Sequence, residues 1–150
     1  MKETIKTSRT AGYLEKIFRA VNTKYFGGQL EEPIITIQST PKAYGHVTAA
    51  KAWQRGETTR HELNIGAGTL DRPIENVVAT LLHECVHLWN LQNGIQDCSR
   101  GGQYHNKRFK AMAENVICKS AMTRASGGAS QSLLRRCANL FWSKDGKISK

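Results

Sequence analysis

The sequence carries an HExxH motif inside an apolar run, Thr80-Leu81-Leu82-His83-Glu84-Cys85-Val86-His87, and this motif is the strongest indication of its fold. On an α-helix, residues four positions apart lie on one face, so His83 and His87 can bind the same metal ion. Glu84 lies beside them, where it could handle the proton of a metal-activated water. The apolar residues on both sides of the motif predict a buried metal-binding helix.

The third metal ligand has to come from elsewhere in the chain, since a catalytic zinc ion usually takes three protein ligands. Three further histidines are available: His46, His61 and His105. His105 is the preferred candidate, because it follows a glycine-containing stretch that can turn the chain back and opens an amphipathic segment of helical periodicity. His46 and His61 fall in extended segments, which favours strand positions near the cleft or on its rim.

The periodicity of the remaining segments predicts an α+β fold. A helix is expected from Thr10 to Phe26, ended by Gly27 and Gly28, which tolerate a left-handed backbone. The apolar face of this helix consists of Leu14, Ile17, Phe18, Val21 and Tyr25. Strands are expected at 33–38, 43–53 and 61–67, with a turn at 55–57. The motif helix is expected to run from Pro73 to about Asn93.

This order of elements places a small mixed or antiparallel sheet against the metal helix, with two or three further helices. A strand along the cleft could hold a substrate peptide by main-chain pairing, which demands no particular side chain. The length predicts one domain over residues 1–150. Within it, residues 120–150 form a Gly- and Ser-rich linker (120–132) and a basic C-terminal segment with a short helical pattern.

The positive charge is concentrated after the motif. The first 99 residues hold 11 Lys and Arg against 10 Asp and Glu, whereas residues 100–150 hold 11 against 2, a balance of +9. A basic surface of this kind attracts phosphate backbones without reading sequence. Taken alone, this excess of charge favours a solvated surface, and non-specific DNA binding through residues 100–150, with Trp142 available to stack on a base, is the alternative.

The composition indicates an intracellular protein. No stretch approaches the roughly 18 apolar residues of a membrane-spanning helix, and the polar amino terminus predicts no signal peptide. The four cysteines are scattered, which favours unpaired thiols in a reducing cytoplasm over a secreted disulfide fold. We therefore expect a cytoplasmic or nucleoid-associated protein that is not secreted. A second metal site from Cys98, Cys118 and Cys137 is the less favoured alternative, because paired short spacings are missing.

Five pieces of the chain, in order and spacing, resemble the SprT-like family of zinc metalloproteases, which includes the eukaryotic Spartan proteases. The pieces are Val21 to Leu30 with Pro33-Ile34, Tyr44-Gly45, Glu62 to Ile65, Thr80 to His87, and His105 to Phe109. The resemblance implies a zinc ion bound by His83, His87 and His105. It further implies that Glu84 is the catalytic acid and base and that the substrate is a protein, in Spartan's case protein attached to DNA.

The chain departs from many family members at two places. Asn106 stands where they have glycine, and no C-x-x-C pair is present to form their C-terminal zinc ribbon. The first departure predicts a variant turn beside His105. The second removes one expected metal site.

The reaction expected from these residues is metal-assisted peptide hydrolysis, in which Glu84 takes a proton from the attacking water and delivers it to the leaving amine. The developing oxyanion needs a donor, for which Tyr104, Tyr44, His46 and Arg100 are candidates. Two other classes remain open: a non-catalytic zinc domain that binds DNA or a partner protein, and a metal-dependent toxin of a phage or mobile element. The presence of Glu84 favours an enzyme, since a structural site has no use for it.

Overall fold

A computed structural model of the chain describes residues 7–40, 43–99 and 104–122, and it confirms the predicted α+β class. The helices in this part are α1 (Thr7–Phe26), α2 (Ile74–Gln92) and α3 (Lys107–Met122), with a 3-10 turn at Ala67–Thr69. The strands are β1 (Ile34–Gln38), β2 (Gly45–Val47), β3 (Trp53–Arg55), β4 (Thr58–Arg60), β5 (Glu62–Gly66), β6 (Cys98–Ser99) and β7 (Tyr104–His105).

The main sheet is small and mixed, as the sequence predicted. Its strand order is β1–β5–β2, with β1 parallel and β2 antiparallel to the central strand. The register pairs Ile35 with Leu63 on one side and Gly45 with Ile65 on the other. Since Leu63 and Ile65 are fully buried, one face of the sheet is turned towards the helices. Because β2 is last in the strand order, it forms an edge of the sheet.

The helix α1 covers the core with the face that its periodicity predicted. Leu14, Phe18, Val21 and Tyr25 are buried, and Ile17 packs partly against them. Burial of one such side chain contributes roughly 1.5–3 kcal/mol. The helix ends where glycines at 27 and 28 adopt φ values of 62° and 75°. It begins at Thr7 rather than Thr10, a difference within the usual uncertainty of helix ends.

The motif helix α2 is the central element of the fold and contacts α1, α3 and β2. It spans Ile74–Gln92, within a residue of the predicted range, and Pro73 occupies the N-cap position. At its other end the Asn93 and Gly94 amides donate to the Trp89 and Leu91 carbonyls, which closes the helix. Because α2 is packed on several sides, its motif residues are held in a fixed frame.

The predicted strand 43–53 is wrong as a single element. The structure divides it into β2 and β3, and β3 leaves the main sheet to form a hairpin with β4. The division falls at residues 48–52, where the three alanines at 49, 50 and 52 have little strand preference. Gly56, with φ 62°, supplies the tight turn of the hairpin. The third predicted strand corresponds to β5.

The expectation that a second helix carries His105 is also wrong. His105 lies on β7, which pairs with β6 so that His105 is opposite Cys98. The helix α3 begins two residues later, at Lys107, because Asn106 caps it. The Asn106 Oδ1 accepts from the Arg108 and Phe109 amides at 2.9 and 3.3 Å. The asparagine that departs from the family pattern is therefore a helix cap.

The helix α3 continues to Met122 and so includes the first three residues of the predicted linker 120–132. Alanine and methionine at 121 and 122 favour this extension. The rest of the linker, the basic C-terminal segment and Trp142 lie outside the described residues. Among the described helices, none is both long and apolar enough to cross a membrane.

Candidate metal centre

Three histidines converge on one point between α2 and β7. The Nε2 atom of His87 lies 3.2 Å from the Nε2 of His83 and 3.1 Å from the Nε2 of His105. All three ligand atoms lie within 4.8 Å of one another, so the group could hold a metal ion. His83 and His87 share a face of α2, as the motif spacing predicted, whereas the strand pairing of β7 brings in His105.

The spacing of these nitrogens fits a small tetrahedral ion. Metal–nitrogen bonds of about 2.0–2.1 Å at tetrahedral angles place two ligand nitrogens about 3.3 Å apart. The measured separations of 3.2 and 3.1 Å are close to this value. Three imidazole donors also leave a fourth position for water or substrate, which is the arrangement of catalytic zinc sites.

The other two histidines lie apart from this group. His61 is buried, and its Nδ1 lies 2.8 Å from the Thr48 carbonyl oxygen. His46 alternates with Gly45 on β2 and therefore faces the opposite side of the sheet. On that side lies Glu62, whose pKa is lowered chiefly by the hydrogen bond from Thr36 and least by the proximity of His46. Both histidines are on or beside strands, as expected.

Phe109 supports the cluster from α3. Its ring stacks on the His105 imidazole, with a centroid distance of 3.9 Å and an angle of 11° between the planes. It also lies 5.0 and 4.6 Å from the rings of His83 and His87. Since Phe109 is 1% exposed, it forms an apolar wall behind all three imidazoles.

Asp97 is a site residue that the sequence analysis missed. Its Oδ2 lies 2.7 Å from Nδ1 of His87 and accepts a hydrogen bond from the Asn90 side-chain amide at 3.0 Å. A carboxylate at Nδ1 holds a proton on that nitrogen, which leaves the Nε2 lone pair for a metal. One signal was present in the sequence: Asp97 is the only acidic residue between Glu84 and His105.

The electrostatics of the three imidazoles differ. Burial, followed by the proximity of His87, lowers the pKa of His83 well below 6.5 and that of His105 to about 4. Burial also acts against a charge on His87, but the hydrogen bond to Asp97 and the nearby carboxylates raise its pKa to about 10. Without a metal, His87 therefore carries the proton, and the other two imidazoles are neutral.

Glu84 is buried beside the cluster, with 6% of its surface exposed. Burial raises its pKa to about 7, and the proximity of His87 partly opposes this rise. A carboxyl group that titrates near neutrality can both accept and donate a proton at physiological pH. The main chain of Gly45 on β2 packs directly against this carboxylate.

The candidates for an oxyanion donor have different positions. Tyr104 precedes His105 on β7, and the Tyr44 ring lies 4.3 Å below the Arg72 guanidinium, just before Gly45. His46 faces away from Glu84, and Arg100 is outside the described ranges. The identity of the donor stays a prediction.

Cys98 lies close to the cluster and forms a second group of potential metal ligands with His87 and Asp97. Because His87 belongs to both groups, this second group adjoins the first. The grouping of Cys98 with Cys118 and Cys137 stays a prediction, since the Cys118 side chain and all of Cys137 lie outside the description.

The comparison with protein families agrees with this geometry. The model of the SprT-like family matches residues 14–127, which include the motif, Asp97 and His105. The chain belongs to the SprT-like family. No curated protein and no solved structure gives a significant match. Membership in the SprT-like family suggests a metalloprotease-like domain, and the histidine cluster could bind its metal.

Proposed function

We propose that this SprT-like chain is a zinc-dependent metalloprotease that hydrolyses peptide bonds in protein substrates. The observation that carries the proposal is the convergence of three imidazole nitrogens beside a buried carboxylate. His83, His87 and His105 would hold the zinc ion. The chemistry that zinc would supply is a lowered pKa for a water molecule and polarisation of the scissile carbonyl.

Glu84 is the proposed general base and acid. Its pKa of about 7 means that the carboxylate is substantially ionised at neutral pH and can take a proton from the attacking water. The same group can then deliver that proton to the leaving amine. Its burial against β2 excludes bulk water, which strengthens the electrostatic interactions of the carboxylate.

The edge strand β2 is the proposed platform for the substrate. It pairs with β5 on one side, and no described strand pairs with its other side. An extended peptide could add to this open edge through main-chain hydrogen bonds. Such binding depends little on side chains, so we expect low sequence preference.

We also propose that this protein contacts DNA without sequence preference and so acts on protein substrates near DNA. Lys107, Arg108 and Lys110 are exposed at the start of α3, whereas Phe109 between them is buried against the histidines. This cationic surface therefore adjoins the candidate metal centre. It begins the basic stretch 100–150, most of which is outside the described residues. A cytoplasmic location suits the two described cysteines, which form no disulfide.

The test of the proposed function combines metal analysis with a casein-type cleavage assay, with and without DNA. We expect the parent protein to hold about one zinc per chain and to cleave casein, and the Glu84→Gln variant to hold zinc without cleaving. Glutamine keeps the volume of the side chain but cannot accept the proton of water. Zinc binding without cleavage by the parent would favour the non-catalytic binding domain instead.

A further inference from the structure

The main chain of Gly45 lies very close to Asn64 and Glu84, although its own backbone conformation is one that any residue can adopt. The described glycines with positive φ are at 27, 28, 56 and 94, so Gly45 has an ordinary strand backbone. A Cβ at this position would lie 2.8 Å from the Asn64 carbonyl oxygen. It would also lie 3.3 Å from both Cγ and Oε1 of Glu84. The residue is therefore glycine because of the space around it.

This contact joins the sheet to the catalytic carboxylate. The strand β2 lies against α2, and Gly45 is the point where its main chain meets the Glu84 side chain. A Cβ at this position would clash with the Asn64 main-chain oxygen, which a shift of β2 relative to β5 would relieve, and it would also press on the Glu84 side chain. A substitution here therefore strains both the pairing of β2 with β5 and the carboxylate.

We propose that Gly45 is a positioning residue for Glu84: its missing side chain lets the edge strand rest on the carboxylate and fix its orientation toward the metal centre. The inference rests on the proposed proteolytic function. Because a substrate peptide would pair with the same strand, Gly45 also sets the distance between Glu84 and the scissile bond. A displacement of about 1 Å at such a position can lower the rate by about 100-fold.

The kinetic test compares Gly45→Ala with Gly12→Ala. Gly12 lies in α1, where an added Cβ has nothing within 4 Å, so this variant controls for the substitution itself. We expect Gly45→Ala to retain its zinc and to lower kcat about 100-fold, with KM changed less than about threefold. Gly12→Ala should behave like the parent. A Gly45→Ala variant with the parent's kcat would overturn the proposal.

A second test measures the contact through stability and does not depend on proteolysis. The melting temperature is compared for Gly45→Ala, Glu84→Ala and the double variant. If the added methyl group presses on Glu84, removing that side chain should recover about 3 °C of the loss caused by Gly45→Ala. The matched control is Gly66→Ala, whose Cβ would meet the Ala43 and Tyr44 carbonyl oxygens at 3.1 and 3.3 Å, with no Glu84 atom among its three nearest neighbours.

The outcomes of the two tests separate the inference from the proposed function. Coupling between Gly45→Ala and Glu84→Ala, with none for Gly66→Ala, supports the contact even if the parent cleaves nothing. Additive losses for positions 45 and 84 would make Gly45 a packing residue only. If Gly45→Ala does not fold, the double variant decides: recovery of folding supports the proposal, and failure to recover assigns the strain to Asn64 and overturns it.

Discussion

The carboxylate of Asp97 lies 2.7 Å from Nδ1 of His87, on the side of the imidazole that faces away from the other two histidines. The Asn90 amide donates to the same oxygen at 3.0 Å, and Asn90 is 1% exposed. Asp97 therefore fixes the orientation of the His87 ring, and Asn90 fixes the orientation of Asp97. Both lie at the end of α2 or in the connection that follows it, so this connection contributes to the metal centre.

We predict that Asp97→Ala lowers the zinc affinity about 10- to 100-fold, because His87 loses the partner that fixes its ring and tautomer. Asp97→Asn should cost less, since the amide oxygen can still accept the hydrogen bond. Competition with a chromophoric chelator measures both. The matched control is Asp71→Ala, which removes an exposed carboxylate. Equal affinities for Asp97→Ala and this control would remove Asp97 from the site.

We predict that His105→Ala loses most of its zinc affinity, because only two protein ligands would remain. His46→Ala serves as the control, since His46 is exposed and faces the other side of β2. Elemental analysis after dialysis against a weak chelator measures the retained zinc. A His105→Ala variant with one tightly bound zinc would contradict the ligand assignment and make His46 and His61 the next residues to test.

The parts of the fold that the sequence predicted well are those with strong local periodicity. The helices α1 and α2 follow from apolar residues at helical spacing, and the strand β5 from a short run of strand-forming residues. The division of 43–53 was not predicted, because whether a short segment joins the main sheet or a hairpin depends on tertiary pairing. Segments of three residues carry too little pattern to reveal that choice.

The candidate site shows the same contrast. His83, Glu84 and His87 come together through helix geometry, which their spacing reveals. Asp97 and Gly45 join them only through the packing of distant elements. A lone aspartate in a connection and a glycine at the start of a strand are common, so the local sequence alone assigns no role to either. Their roles depend on the 2.7 Å contact of Asp97 with His87 and on the space beside Gly45, which only the folded chain provides.

We predict that zinc binding tightens as the pH rises from about 7 to 9. Metal and proton compete for His87, and the hydrogen bond that it donates to Asp97 helps to raise its pKa to about 10, so the proton must be displaced throughout this range. One displaced proton corresponds to about tenfold in affinity per pH unit. Competition titrations at several pH values measure the slope.

The variant Asp97→Asn provides the control for this pH dependence. Without the carboxylate, the pKa of His87 should fall, so the slope above pH 7 should flatten. Affinity of the parent that does not change with pH above 7 would show that His87 is already neutral and that its pKa is not raised.

We predict weak, non-specific DNA binding that falls steeply with salt, as counterions are released from the phosphates. The basis is the balance of +9 over residues 100–150 and the exposed Lys107, Arg108 and Lys110 beside the metal centre. Replacing these three residues with glutamine should reduce the slope of log affinity against log salt by about 2–3. Gel-shift titrations at several salt concentrations give the slope.

The control variant for DNA binding removes three positive charges outside α3. Lys16, Lys24 and Arg55 are exposed and lie outside the basic stretch, in α1 and β3. If position matters, their replacement by glutamine should leave the slope closer to that of the parent than the α3 variant does. Both variants should keep their zinc, because the cationic side chains of α3 face away from the histidines. Equal slopes for the two variants would mean that net charge alone attracts DNA, and no binding at low salt would leave the basic residues as a solvated surface.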